Sequence, residues 1–154
     1  MDAERATPPT RDARLFVAAP VGLLSGALLY RPWDPSFSSR RPSDFYLFWV
    51  AARGWLSDLS PYDTTLHSGW PVPLLYPMPA VLAAAPFAWL PWDVARAAFA
   101  GLSGGILAFA ATRRAWWPLA MCASGPFVAA ISVGQWSRLF VAAAILPPLG
   151  RSSR

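Results

Sequence analysis

The stretch AAFAGLSGGILAFAAT, residues 97–112, contains no Asp, Glu or Arg and consists almost entirely of small and apolar side chains. Three further stretches without these charges lie at residues 15–30, 64–92 and 115–137. A helix needs about 20 predominantly apolar residues to cross the hydrocarbon core of a bilayer. We therefore expect an all-α protein whose helices cross a membrane several times.

The composition supports this expectation, because hydrophobic residues make up 55% of the 154 residues and charged residues only 14%. This hydrophobicity excludes an intrinsically disordered chain, and the single cysteine, Cys122, excludes a disulfide scaffold. The basic residues are all arginine, and they raise the formal net charge to +5. They separate apolar runs and do not form one basic face, so membrane topology explains them better than nucleic-acid binding.

Polar segments divide the chain into regions. Residues 1–14 predict a disordered cytoplasmic leader, residues 31–73 the first extracytoplasmic loop, and residues 151–154 a polar tail. The transmembrane domain is expected over residues 15–150. The predicted spans are 15–30, 74–92, 97–112 and 116–133, followed by an incomplete fifth run at 139–150 that is too short to cross.

The first and third spans raise two questions of topology. Residues 15–30 are short enough for a signal peptide, but they lack a small-x-small cleavage pattern, so we expect an uncleaved anchor. Residues 93–96 are expected to form a tight reversal between the second and third spans. Alternation from a cytoplasmic N-terminus would then place Arg113 and Arg114 outside, which conflicts with the positive-inside tendency.

The segment DFYLFWVAARGWL, residues 44–56, predicts a helix with Ser43 or Asp44 as its N-cap. At about 100° per residue, one face of this helix is bordered by Asp44 and Arg53 and carries Phe45, Phe48, Trp49, Ala52, Trp55 and Leu56. A short aromatic stripe between charges is typical of a helix that lies on a bilayer surface. We therefore expect an interfacial helix in the first loop.

Few residues suggest a catalytic, cofactor-binding or metal-binding role. The chain contains no GxGxxG, P-loop, CxxC, HExxH or GxSxG pattern, and one histidine with one cysteine cannot form a metal cluster, so we expect no cofactor and no metal site. Asp44 is the acid of interest, because it lies where a loop meets the aromatic helix. The alternative is that its carboxylate only caps that helix.

Four segments resemble a known family in their order and approximate spacing: SDFYLFWVAAR (43–53), SPYD (60–63), LLYPMPAVLAAAPFAWLP (74–91) and GQWS (134–137). Together they resemble the N-terminal part of glycosyltransferase family 87. These are bacterial, polytopic enzymes of the C-type glycosyltransferase superfamily, which includes mycobacterial mannosyltransferases of phosphatidylinositol mannosides. The chain departs from the family pattern at Met78 and at Ser137, where the family usually has Pro and Asn.

The resemblance implies transfer of a hexose, as in mannosyltransferases, from a polyprenol-phosphate donor to an extracytoplasmic lipid or glycan acceptor in the bacterial plasma membrane. It implies that Asp44 is the base for the acceptor hydroxyl. Arg40 or Arg41 would neutralise the departing phosphate, and Tyr76 and Gln135, which lie in the matching segments, would contact substrate.

The alternative is a catalytically inactive membrane protein or a partner-binding subunit. Family members continue through many more spans than this chain, which suggests a truncated copy. In that case we expect a partner membrane protein to replace the missing helices, because helices with prolines and glycines facing lipid would leave backbone groups unsatisfied.

Overall fold

A computed structural model describes residues 8–30, 43–66 and 74–146. All regular secondary structure in these ranges is helical, which confirms the predicted all-α class. The α-helices are α1 (Arg11–Leu29), α2 (Asp44–Leu56), α3 (Pro61–Leu66), α4 (Met78–Ala84), α5 (Trp92–Ala111), α6 (Gly125–Ser132) and α7 (Ser137–Ile145). Short 3-10 helices occupy Ala85–Phe87 and Trp117–Ala123.

Two of these helices, α1 and α5, are long and apolar enough to cross a membrane, with 19 and 20 residues. At 1.5 Å per residue each is about 30 Å long, which is the thickness of a bilayer core. They correspond to the predicted first and third spans. α1 begins at Arg11, so residues 11–14 are helical where a disordered leader was expected.

The two long helices pack against each other through glycines. A Cβ atom built on Gly22 would lie 2.8 Å from the carbonyl oxygen of Gly101, and one on Gly26 would lie 3.0 Å from that of Ala97. Gly105 lies against the α1 backbone at Ala18. The backbones of α1 and α5 therefore approach as closely as in membrane helix pairs with small residues at spacing four.

Two predicted spans and one predicted reversal differ from the helices in the structure. The proposed second span, 74–92, forms only the seven residues of α4, the 3-10 helix and turns. α4 ends shortly before Pro86, which lacks the N–H donor of an α-helical hydrogen bond. The proposed fourth span is divided in the same way at Ser124 and Pro126. The expected reversal at 93–96 lies instead in the first turn of α5.

The antiparallel packing of α1 and α5 changes the topology. Arg14 in the first turn of α1 donates a 2.6 Å hydrogen bond to the carbonyl oxygen of Phe109, near the end of α5. At the opposite end, Arg96 donates a 2.8 Å hydrogen bond to the carbonyl oxygen of Leu29. Arg113, directly after α5, thus lies at the same end as Arg14, whereas the predicted alternation of spans put the two at opposite ends.

The aromatic face of α2 is buried in one of the two hydrophobic clusters of the described residues. Phe45 and Phe48 are 0% and 1% exposed, and they pack against α4, the first 3-10 helix and α5. Only the end of the predicted stripe, Trp55 and Leu56, is exposed. The prediction of an interfacial helix has the correct bounds, but its apolar face meets other helices and not lipid, because distant aromatic residues cover it.

Candidate functional site

The candidate site is built at the N-terminus of α2. Ser43 occupies the N-cap position, but its side chain makes no capping hydrogen bond. Asp44 is the first residue of the helix, so the alternative that its carboxylate caps α2 is wrong. Within the described ranges, the half-buried Asp44 carboxylate has neither a hydrogen bond nor an ion pair. It is therefore available for chemistry within this part of the chain.

A turn from the far end of the chain meets this N-terminus. The backbone N–H of Asp44 donates a 2.9 Å hydrogen bond to the carbonyl oxygen of Val133. Gly134 follows with φ +64°, and a Cβ atom at this position would lie 3.1 Å from the Cβ of Phe45. Both the left-handed backbone and the close approach require glycine here.

Two backbone hydrogen bonds in the same turn end α6. The N–H of Gly134 donates to the carbonyl of Ile131, and the N–H of Gln135 donates to that of Ala130, each at 3.1 Å. This pair of bonds is a Schellman motif, in which a left-handed glycine satisfies the last helix carbonyls. The GQWS segment is thus held in one conformation beside Asp44.

Aromatic contacts connect Tyr76, another of the predicted site residues, to this turn. Trp136 contacts Phe48 with ring centroids 5.0 Å apart, and Tyr76 contacts the same Phe48 at 4.7 Å. Behind them, Phe45 stacks on Phe99 at 4.1 Å with nearly parallel rings. Phe48 therefore lies between the segment that carries Tyr76 and the segment that carries Gln135.

Three of the five predicted site residues lie in segments that contact the first part of α2. Asp44 begins this helix, Tyr76 contacts Phe48, and Gln135 follows Gly134, which lies against Phe45. Tyr76 is 48% exposed, and the exposed Gln135 accepts a 3.4 Å hydrogen bond from the Ser137 hydroxyl. Arg40 and Arg41 lie outside the described residues.

Sequence reasoning missed Arg138. This residue lies in the first turn of α7, directly after GQWS, and its side chain is only 3% exposed. One Nη1–H donates a long 3.5 Å hydrogen bond to the carbonyl oxygen of Ala100, while Nε and Nη2 have no acceptor in the described part of the chain. Burial lowers the pKa of Arg138 to about 10. The signal available in the sequence was a single charge between two apolar runs.

Three further residues with ionisable side chains are candidates for the site: Arg53, Asp58 and His67. Arg53 donates to the carbonyl oxygen of Ala88 at 3.4 Å and covers the ring of Trp49. Asp58 lies in the turn after α2 with φ +57°. His67 lies outside the described residues. Among residues 8–30, 43–66 and 74–146, no group of three His, Cys, Asp or Glu side chains could hold a metal ion.

Comparisons with known proteins find nothing similar: no family model, no curated protein and no solved structure matches this chain.

Proposed function

We propose that this chain is a membrane-embedded glycosyltransferase-type protein that transfers a hexose, mannose by resemblance, from a polyprenol-phosphate donor to a lipid or glycan acceptor. The observation that carries the proposal is the meeting of SDF and GQWS beside the Asp44 carboxylate, which has no hydrogen bond or ion pair with any residue that the structure describes. Two segments almost 90 residues apart supply Asp44 and Gln135 to one aromatic-lined end of the bundle.

The surface of α1 supports a membrane location. Its side chains Phe16, Leu23 and Leu24 are 82%, 75% and 66% exposed, although the helix is apolar. Contact between these apolar side chains and water has an unfavourable free energy, whereas contact with lipid does not. We assign α1 and α5 as the two spans of a multi-pass protein in the bacterial plasma membrane.

The charges at the bundle ends support an orientation. Arg11, Arg14, Arg113 and Arg114 lie at one end, where the positive-inside rule favours the cytoplasm. Asp44 is connected through Phe45 and Phe99 to the opposite half of α5. In this orientation Asp44 faces the extracytoplasmic headgroup layer, where a lipid-linked donor presents its sugar.

The chemistry requires one base. The Asp44 carboxylate accepts the proton of the acceptor hydroxyl, and the resulting oxygen nucleophile attacks the anomeric carbon of the donor. The bond between that carbon and the phosphate oxygen breaks, and its electron pair leaves with polyprenol phosphate. A phosphate is a good leaving group, so no general acid is needed, unlike in hydrolysis of an ordinary glycoside.

The leaving phosphate needs positive charge. The Nε and Nη2 atoms of Arg138 have no acceptor among the residues that the structure describes, and Arg138 lies at the positive end of α7, directly after the turn that contacts Asp44. A guanidinium that lacks acceptors is a suitable partner for a phosphate with three acceptor oxygens. We assign this role to Arg138, together with Arg40 or Arg41.

The function is tested by Asp44→Asn in membrane vesicles that contain the full chain and a radiolabelled polyprenol-phosphate mannose. A general base contributes about 10²- to 10⁴-fold, so we expect transfer to fall by that factor while donor binding remains. The matched control is Asp58→Asn, which makes the same change at a turn outside the site. Undiminished transfer by the Asp44→Asn variant would remove Asp44 from the mechanism.

The second candidate is a partner-binding membrane subunit without activity. It is favoured by the surface near α6 and α7, where Val128, Val133 and Phe140 are exposed although both helices are too short to span a membrane. Backbone groups at the ends of such helices need partners inside a bilayer. This function predicts neither donor binding nor transfer by the wild-type chain in the same vesicles.

A further inference from the structure

A cavity of about 440 Å³ lies at the end of the bundle opposite Asp44. It is enclosed by the residues after α5, the start of the second 3-10 helix and the last turn of α7. Arg113, Arg114, Trp117 and Ile145 line it, and none of the described residues that line it is acidic. The cavity therefore combines two positive charges with an apolar wall.

The two arginines differ in how they are held. Nη1 of Arg113 donates a 3.2 Å hydrogen bond to the carbonyl oxygen of Ile145, which fixes this guanidinium at the edge of the cavity. Arg114 has no hydrogen bond or ion pair with any residue that the structure describes. Arg14, bound to the carbonyl oxygen of Phe109 one turn earlier on α5, adds a third positive charge to the same end.

The position of the cavity along α5 matches a lipid headgroup. α5 ends at Ala111 after 20 residues, which corresponds to about 30 Å and the full thickness of a bilayer core. Trp117 is 80% exposed beside the arginines, and exposed tryptophan is typical of the boundary between membrane and water. Charge and apolar surface thus meet at the depth where lipids carry phosphate above acyl chains.

We propose that this cavity binds the headgroup of an anionic phospholipid. Arg113 and Arg114 donate charge-assisted hydrogen bonds to the phosphodiester, and Trp117 packs against the glycerol and the first methylenes of an acyl chain. Free phosphate would leave the apolar wall of Trp117 and Ile145 uncovered, so the occupant is a lipid. The site is separate from the donor site and depends on the proposed function only for the membrane location.

The test is native mass spectrometry of the purified full chain with equal amounts of phosphatidylglycerol and phosphatidylcholine. We expect the wild type to retain phosphatidylglycerol preferentially, and Arg114→Gln to lower that preference about fivefold, since one basic residue near an anionic surface is worth that factor. Arg114→Lys, which keeps the charge, is expected to recover most of the preference. Arg11→Gln, at the same end but outside the cavity, is the matched control.

Three outcomes would overturn the inference: no preference in the wild type, an equal loss with Arg11→Gln, or equal competition by free glycerol phosphate. Membrane fractionation separates this failure from that of the proposed function. Recovery of the chain in the aqueous fraction would remove the membrane premise of both, whereas a membrane-bound chain without lipid preference would contradict only the headgroup site. Thermal unfolding of each variant identifies any substitution that prevents folding, and Arg113→Gln then provides a second measurement.

Discussion

The backbone N–H of Asp44 donates a 2.9 Å hydrogen bond to the carbonyl oxygen of Val133. This bond joins the first turn of α2 to the end of α6, and it lies between the two segments that the proposed mechanism needs. It is made by the main chain, so no side-chain substitution removes it directly. The neighbouring Gly134, however, controls the turn that presents the Val133 carbonyl.

Gly134→Ala is expected to lower the free energy of unfolding by about 1–3 kcal/mol, because alanine is strained at positive φ and its Cβ would crowd Phe45. Thermal or denaturant unfolding in detergent measures the change. The matched control is Gly125→Ala, since a Cβ on Gly125 meets nothing within 4 Å. Equal stability of the two variants would contradict the tight contact between the turn and α2.

Phe45→Ala is expected to lower the free energy of unfolding by about 3–5 kcal/mol, the usual cost of removing a fully buried phenyl ring. Trp55→Ala on the same helix is the control, since Trp55 is 40% exposed and should cost much less. A helix lying on the bilayer surface would give the two variants similar stability and would instead change membrane affinity in both.

Arg138→Met is expected to raise the free energy of unfolding by about 1–4 kcal/mol while weakening donor binding. Burial lowers the pKa of Arg138 to about 10, so the folded protein holds this proton less tightly than the unfolded chain, and the charge destabilises the fold at neutral pH. The measurements are thermal unfolding and the KM for the donor.

The control for this variant is Phe140→Met on the same helix, whose side chain is 69% exposed. It should change neither quantity. A loss of stability in Arg138→Met would show that the guanidinium has a structural role and would argue against the phosphate assignment.

Topology is tested with cysteine labelling in a Cys122→Ser background. Arg11→Cys and Arg114→Cys are expected to react with an impermeant maleimide from the cytoplasmic side, because both positions lie at the same end of the α1–α5 pair. Leu59→Cys, exposed near the end of α2, should react from the outside. Labelling of positions 11 and 114 from opposite sides would support the alternation of spans predicted from the sequence. It would contradict the antiparallel packing of α1 and α5.

Local physical chemistry explains which helices could be predicted. The segment 44–56 has an apolar face at helical spacing and a polar residue before it, and α2 has these bounds. The long uncharged runs predicted α1 and α5 to within a few residues. At Pro86 and Pro126, hydrophobicity alone suggested a continuous span, whereas the structure divides each run into shorter helices near the proline.

The sequence by itself determined that the protein is helical, strongly apolar and equipped with one acid at the start of an aromatic helix, because composition and periodicity are local properties. Only the tertiary structure decided that this aromatic face is covered by Phe99 and Trp136, that Gly134 lies against Phe45, and that Arg138 is buried with donors that meet no acceptor in the described part of the chain. These facts depend on which distant segments pack together. Periodicity shows that a face is apolar, but the identity of the surface that covers it is set by the whole fold.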